Sequence, residues 1–494
     1  MGIIKKQSIQ GSIFLYLGVF IGFITSLVLF PHILSEKEIG LLSTLVAYST
    51  IFAQTGTLGF NSVILKMFSY FRNHKNNHNG FFFIIFVVII LGFGFSTALF
   101  FILKPYIVKE NIINSPLFVE YIYFLLPLTF FTLAFYIFDT YYSVLFFAVR
   151  GIFLKEFVQR VLILLVLIIY YLQCININSF VIAYVVSLSA PTVLIIIWLI
   201  YDGEFVLKNR LSFVKKDLRN AMLSVSLFGI LSGMVGSINI QVDKIMASSM
   251  LSLQVTGIYT TIIVLTGFIR IPSRAVLKIA AAVIAEAWKN NDTEEVKKVY
   301  LATSINQYII ALLVFVGLWA NVHNIFMILP PNYEIGKYVI LFTGIAFTFE
   351  MATGASNNVI ANSKHYKYLT YFVAFMLVLA ILLNYLLIPI FKINGLALAT
   401  AITLITYNIT KVIFIYLKFK MQPFSMKYLH ISLIGLFVYL VSLLIPVFED
   451  FIVDILIRSG FITITFTLLL FLSKTSAEFN SAVTNFFWGG NKFK

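Results

Sequence analysis

SEKEIGLLSTLVAYSTIF at residues 35–52 and SLQVTGIYTTIIVLTGFI at 252–269 lie in register, with Gly40 under Gly257. That offset of 217 residues recurs. Phe71-Arg72-Asn73 falls under Trp288-Lys289-Asn290, Tyr121 falls under Tyr338, and ININSFVIAY (175–184) meets KINGLALATA (392–401) at an offset near 216. Each match is weak alone, but repetition at one fixed spacing is a signature of architecture. The spacing divides the chain into one copy at residues 1–210, a second at 211–420 and an appendage at 421–494.

Composition says what each copy is made of. Of 494 residues, 60% are hydrophobic and only 11% are charged, more apolar surface than a soluble core hides. Apolar runs of about 20 residues, long enough to cross roughly 30 Å of hydrocarbon, recur along the whole sequence. Breaks between them predict fourteen spans, at about 12–34, 38–60, 81–103, 118–140, 154–173, 178–201, 220–247, 254–285, 300–322, 337–361, 368–390, 394–417, 428–448 and 453–473. The expected fold is an all-α polytopic membrane protein with two pseudo-symmetric six-helix lobes, two further C-terminal helices and a central cavity. Six is even, so both copies face the same way and their pseudo-two-fold axis runs along the membrane normal. The N-terminal apolar run continues to Phe30 with no small-residue cleavage site and reads as the first span.

Cations crowd one set of alternate loops, among them Arg72, Lys75, Lys208, Arg210, Lys215, Lys216 and Arg219, while the other set holds little beyond Lys37, Lys104, Lys109, Lys337, Lys392 and Arg458. This bias predicts that both termini are cytoplasmic. The net charge of +15 is therefore topological and implies no nucleic acid. Cys174, the single cysteine, excludes an intramolecular disulfide and reads as a buried thiol. The outer loops are short, and their one acid cluster, Glu449, Asp450 and Asp454, reads as a solvated turn. A membrane-embedded polymerase or glycosyltransferase would need a catalytic constellation there, so this reading ranks behind a transporter.

Three stretches carry a family resemblance: SEKEIGLLSTLVAYSTIFAQTGTLGFNSVI (35–64), NIQVDKIMASSMLSLQVTGIYTTIIVL (239–265) and NYLLIPIFKINGLALATAITLI (384–405), the last with Asn384, Pro389, Gly395 and Thr400. Over essentially its whole length the chain resembles the Wzx-like polysaccharide flippases of the multidrug/oligosaccharidyl-lipid/polysaccharide exporter (MOP) superfamily. The resemblance implies a bacterial inner-membrane protein that moves undecaprenyl-diphosphate-linked oligosaccharide to the outer leaflet by alternating access, for O-antigen or another surface polysaccharide. It implies no cofactor and no metal site, H⁺ or Na⁺ as a coupling ion, and polysaccharide polymerase and other export machinery as partners. A cation-coupled multidrug antiporter of the same superfamily is the nearest alternative. The lipid II flippases of the superfamily carry arginines in their first two spans. Span 1 here has none and span 2 only Lys66, which points away from lipid II.

Charges inside the spans are the candidate site. In FIRIPSRAVLK (268–278), Arg270, Arg274 and Lys278 recur every four residues and share one helical stripe. Counted from Gly257 they lie about 20, 26 and 32 Å down the helix. The deepest, Arg270, must face protein or water. Guanidinium forks match phosphate oxygens, so the stripe is expected to hold a diphosphate or acidic sugars, with Pro272 kinking the span and freeing a carbonyl. Glu350, the deepest acid, reads either as a proton or Na⁺ carrier or as the counter-ion of such a cation. Asp243, near the outer end of span 7, reads as an interfacial, solvated residue or as a second candidate for either role, binding a cation with Asn239 and Gln241. Asn357 and Asn358 read as polar cavity residues or as glue between helices.

Overall fold

The structure is a computed structural model and describes residues 2–488. Among the described residues every regular element is a helix, and ten helices are each long and apolar enough to cross a membrane. One of them, Tyr368–Phe419, bends back at Lys392 (φ 51°, ψ −127°) and supplies spans 11 and 12. Span 5 (148–171) and span 8 (253–289) are broken helices, and span 13 is the 17-residue Met426–Ser442. All fourteen predicted spans are present in a multi-pass membrane fold. Span 10 ends earlier than expected, at Ala352, and a short helix, Ser356–Ala361, follows the break.

Contacts divide the chain into two compact units, Met1–Thr260 and Thr261–Lys494. In the first, span 2 begins at Glu36 behind a reciprocal capping box: Ser35 Oγ accepts from the Glu38 N–H, and the Glu38 carboxylate accepts from the Ser35 N–H. Span 7 (Lys216–Met250) lies along span 2 and its continuation Phe60–Phe71. Gly59 (φ +68°) and Gly229 face each other there, and Ser226 Oγ donates to the Leu58 carbonyl. A packing boundary need not coincide with a sequence repeat, and here span 7 belongs with the six spans before it.

The repeat-related glycines meet at the start of spans 2 and 8. A Cβ on Gly40 would overlap the Leu253 carbonyl oxygen, and a Cβ on Gly257 would overlap that of Glu36. Residues 36 and 253 stand 217 apart, as do 40 and 257, so the crossing is reciprocal in the register of the repeat. Two helix backbones approach this closely only where side chains are missing. Span 1 and span 5 make a second close crossing. Gly18 and Gly22 pack on Glu156 and Arg160, and both helices contain a π-helical turn, at Ile24–Leu29 and Phe153–Val158.

In the second unit, spans 13 and 14 are fastened to span 9 by charge. Arg458, 5% exposed, donates from Nε and Nη2 to the two oxygens of Asp454, itself 1% exposed, at 3.0 and 2.9 Å; it also donates from Nη1 to the Ser442 carbonyl at 2.7 Å. Asn324, just past span 9, donates to Asp454. The solvated-turn reading of Asp454 and the loop reading of Arg458 give way here, because position 454 lies in the first turn of span 14 and faces its partner one turn on. Asp450 caps that helix as a turn residue does. Cys174 is exposed in the turn after span 5, not buried.

Valine at Gly40 or Gly257 should lower stability by about 1–3 kcal/mol, read as a fall in unfolding temperature in detergent, whereas valine at Gly94, which has open space, should not. Arg458→Met should cost about 3–5 kcal/mol by stranding Asp454, and Asp454→Leu combined with Arg458→Met should recover most of it.

Candidate functional site

The second unit gathers its intramembrane charges from spans 8, 10 and 12. Span 8 tightens into a 3-10 turn at Gly267–Arg270 and resumes as the α-helix Ile271–Lys289, with Pro272 in its first turn. Proline cannot give Phe268 its i+4 partner, and the Ile271 N–H takes that carbonyl instead. The freed carbonyl expected at Pro272 is thus already satisfied. The turn aims Arg270 at span 10, which is held alongside by the Thr343–Thr266 hydroxyl bond of 3.1 Å.

Arg270 meets Glu350 at two points, Nε to Oε2 at 3.1 Å and Nη2 to Oε1 at 3.2 Å, with the guanidinium also 4.7 Å from the centre of the Phe347 ring. Its side chain keeps 44% of its exposure and that of Glu350 23%. Glu350 is thus ion-paired with Arg270. Three residues past Glu350 the helix breaks. Gly354 adopts φ +50°, and a Cβ there would overlap Ser304 of span 9. Past the break, the short helix Ser356–Ala361 holds Asn357 and Asn358 beside spans 12 and 8. Asn358 Nδ2 donates to the Leu277 carbonyl of span 8 at 3.0 Å, which is the glue role, while Asn357 is exposed and accepts from Lys411 Nζ at 3.1 Å.

Lys411 was not among the sequence-derived site residues. Only 2% exposed, it extends from span 12 with its ammonium 4.4 Å from the centre of the Tyr407 ring, and Thr353 Oγ1 ties the same helix to the break by donating to Asn408 Oδ1 at 3.1 Å. A single cation inside the run 394–417 was the available signal. The cluster holds two cations, Arg270 and Lys411, and one carboxylate, Glu350.

Other candidates stand apart. Arg274 and Lys278 are exposed on the helix that follows Arg270, and Arg274 has no hydrogen-bond or ion-pair partner among the described residues. In the first unit Asp243 accepts from the Tyr259 hydroxyl at 3.2 Å. Gln241 is buried, and two residues along a helix turn it by about 200° from both Asn239 and Asp243, so the three do not converge on one ligand. Also missed was an ion pair deep in span 5, Arg160 Nη2 to Glu156 Oε2 at 2.6 Å, with Arg160 Nη1 donating to the Gly18 carbonyl of span 1 at 2.8 Å.

One described group, His74, His78 and Glu204, has metal-ligand donor types, with 3.9 and 3.3 Å from the histidine nitrogens to the carboxylate. Nδ1 of His78 accepts the Asn73 N–H at 3.2 Å, which leaves the ring proton on Nε2, the atom facing Glu204. That tautomer joins two loops and does not ligate a cation.

No protein-family model and no curated protein matches the sequence. Solved structures do. The chain is similar to the lipid II flippase MurJ in an inward closed conformation, at 15% identity and TM-score 0.70 over 94% of this chain and 99% of that one. It is also similar to an inward-facing multidrug resistance MATE family transporter of the MOP superfamily, at 14% identity and TM-score 0.63 over 82% and 94% of the two chains. A third is the MATE multidrug transporter DinF-BH, at 15% identity and TM-score 0.53 over 84% and 95%. The fold is thus that of MOP-superfamily transporters and flippases, and these neighbours are not enzymes. Identities this low establish the fold alone.

Lys411 costs stability if its charge is kept for function, since a cation among neutral partners at this depth is unfavourable by at least about 2.5 kcal/mol. Lys411→Met should therefore raise the unfolding temperature in detergent.

Proposed function

We propose that the protein is a flippase for a polyprenyl-diphosphate-linked oligosaccharide, carrying it from the inner to the outer leaflet of a bacterial cytoplasmic membrane by alternating access. The observation that carries this reading is the excess of cation over carboxylate at Arg270, Glu350 and Lys411. A site with net positive charge inside a membrane is matched to an anion, and a half-exposed guanidinium is matched to the oxygens of a phosphate. Arg274 and Lys278, one and two turns further along, extend the cationic face for a second phosphate or an acidic sugar. The reciprocal Gly40–Gly257 crossing supports two copies of one unit, 1–210 and 211–420; an axis along the membrane normal and cytoplasmic termini are part of the same proposal. The sugar composition, and any exchange of H⁺ or Na⁺, belong to the same proposal, as do contacts with polymerase and export machinery.

The fold serves a multidrug antiporter equally well. Glu350 is the observation that favours this second reading, since a carboxylate freed from Arg270 is a site for a cationic drug or a coupling ion. Depletion of the protein separates the two. Lipid-linked oligosaccharide accumulating on the cytoplasmic leaflet, with loss of the surface polymer, is the flippase outcome, and Arg270→Met should reproduce it with roughly a tenfold or greater fall in export, the loss of about one charge-assisted contact. Unchanged lipid-linked pools together with sensitivity to cationic drugs would establish the antiporter.

A further inference from the structure

We infer that Lys411 takes over the Glu350 carboxylate when an anion occupies Arg270, so that occupancy of the site moves one carboxylate from a partner on span 8 to a partner on span 12. The inference rests on the diphosphate reading given above.

Glu350 takes the Nε–Nη2 edge of Arg270 with both oxygens. A phosphate claiming that guanidinium arrives beside a carboxylate, and like charges at such a distance repel strongly where water is scarce. Glu350 must then leave, and a carboxylate at this depth needs another partner. The second unit offers two buried cations among its described residues. Arg458 is committed to Asp454 through both of that residue's oxygens and to the Ser442 carbonyl. Lys411 is not committed in this way. An ammonium has three donors, and this one gives a hydrogen to Asn357 Oδ1 and faces the Tyr407 ring. It stands on the helix that flanks the break after Glu350, where Thr353, three residues past Glu350, donates through Oγ1 to Oδ1 of Asn408, three residues before Lys411, at 3.1 Å.

The exchange explains why a lysine with neutral hydrogen-bond partners is kept inside a span. With the carboxylate on Arg270 it is an unfavourable spare charge. With an anion on Arg270 it is the counter-ion that keeps Glu350 from opposing the ligand. Lys411 is thus a positioning residue. It is 2% exposed and acts through Glu350. Loss of the Arg270–Glu350 pair loosens spans 8 and 10 while a new pair ties 10 to 12, and a ligand that changes which helices are joined shifts a conformational equilibrium.

The test is a double-mutant cycle on the full chain in nanodiscs, with a short-chain polyprenyl diphosphate as the probe. Lys411→Met should weaken binding about tenfold, which is about 1.4 kcal/mol, and Lys411→Arg should keep wild-type affinity. Glu350→Gln removes the carboxylate that needs a partner, so Lys411→Met added to Glu350→Gln should change affinity by less than about twofold. This non-additivity is what a merely structural lysine would not produce. An equal loss in both backgrounds, or no loss in the wild-type background, overturns the exchange. Arg270→Met reports separately on the reading beneath it. If Arg270→Met abolishes binding and the cycle is additive, the diphosphate site stands and the exchange falls. If Arg270→Met binds the probe as wild type does, or wild type does not bind it, both fall.

Discussion

Hydrocarbon offers no hydrogen bond to a peptide group and no solvation to a charge, so a chain this apolar can only be helical within the membrane, and each ionised side chain it keeps there must be answered by another group. The described ion pairs within the spans follow that constraint. Arg458 and Asp454 are closed on each other and their neighbours, and they fasten two helices. Arg160 and Glu156 use the remaining guanidinium hydrogens on a carbonyl of span 1. Arg270 and Glu350 differ in having Lys411, a second and buried cation, on the helix that flanks the break after Glu350. The first two pairs are satisfied as they stand, and the third is left with positive charge over.

Helices in lipid gain little from hydrophobic contact with one another, and close approach of backbones takes its place. Glycine supplies that approach where span 2 meets spans 7 and 8, and where span 1 meets span 5. The same residue breaks span 10 at Gly354, behind Glu350, because only a missing side chain tolerates both the left-handed backbone and the contact with Ser304. Packing and site geometry are therefore set by one device, the omission of a Cβ.

The break in span 10 is what makes a site out of separate helices. The turn at 353–355 separates Glu350 from the short helix on which Asn357 meets Lys411 and Asn358 reaches span 8. Discontinuous helices recur where transporters bind their cargo because bent backbone places several polar side chains at one depth.

The number of spans, their order and the helical class were legible in the sequence, since each is a property of apolar run length and spacing. The partnership of Arg270 with Glu350 was visible as one of two alternatives, because depth along a span can be counted from residue numbers. Lys411 was visible only as a lone cation, Arg160 and Glu156 passed unnoticed beside loop lysines, and Asp454 looked solvated because sequence places it next to Glu449 and Asp450. Which face a residue turns toward, and what stands there, depends on helices brought together from far along the chain. The sequence alone determined which runs are long and apolar enough to span a membrane; tertiary structure decided which charges answer one another, because a charge's partner is fixed by distance across helices and not by distance along one.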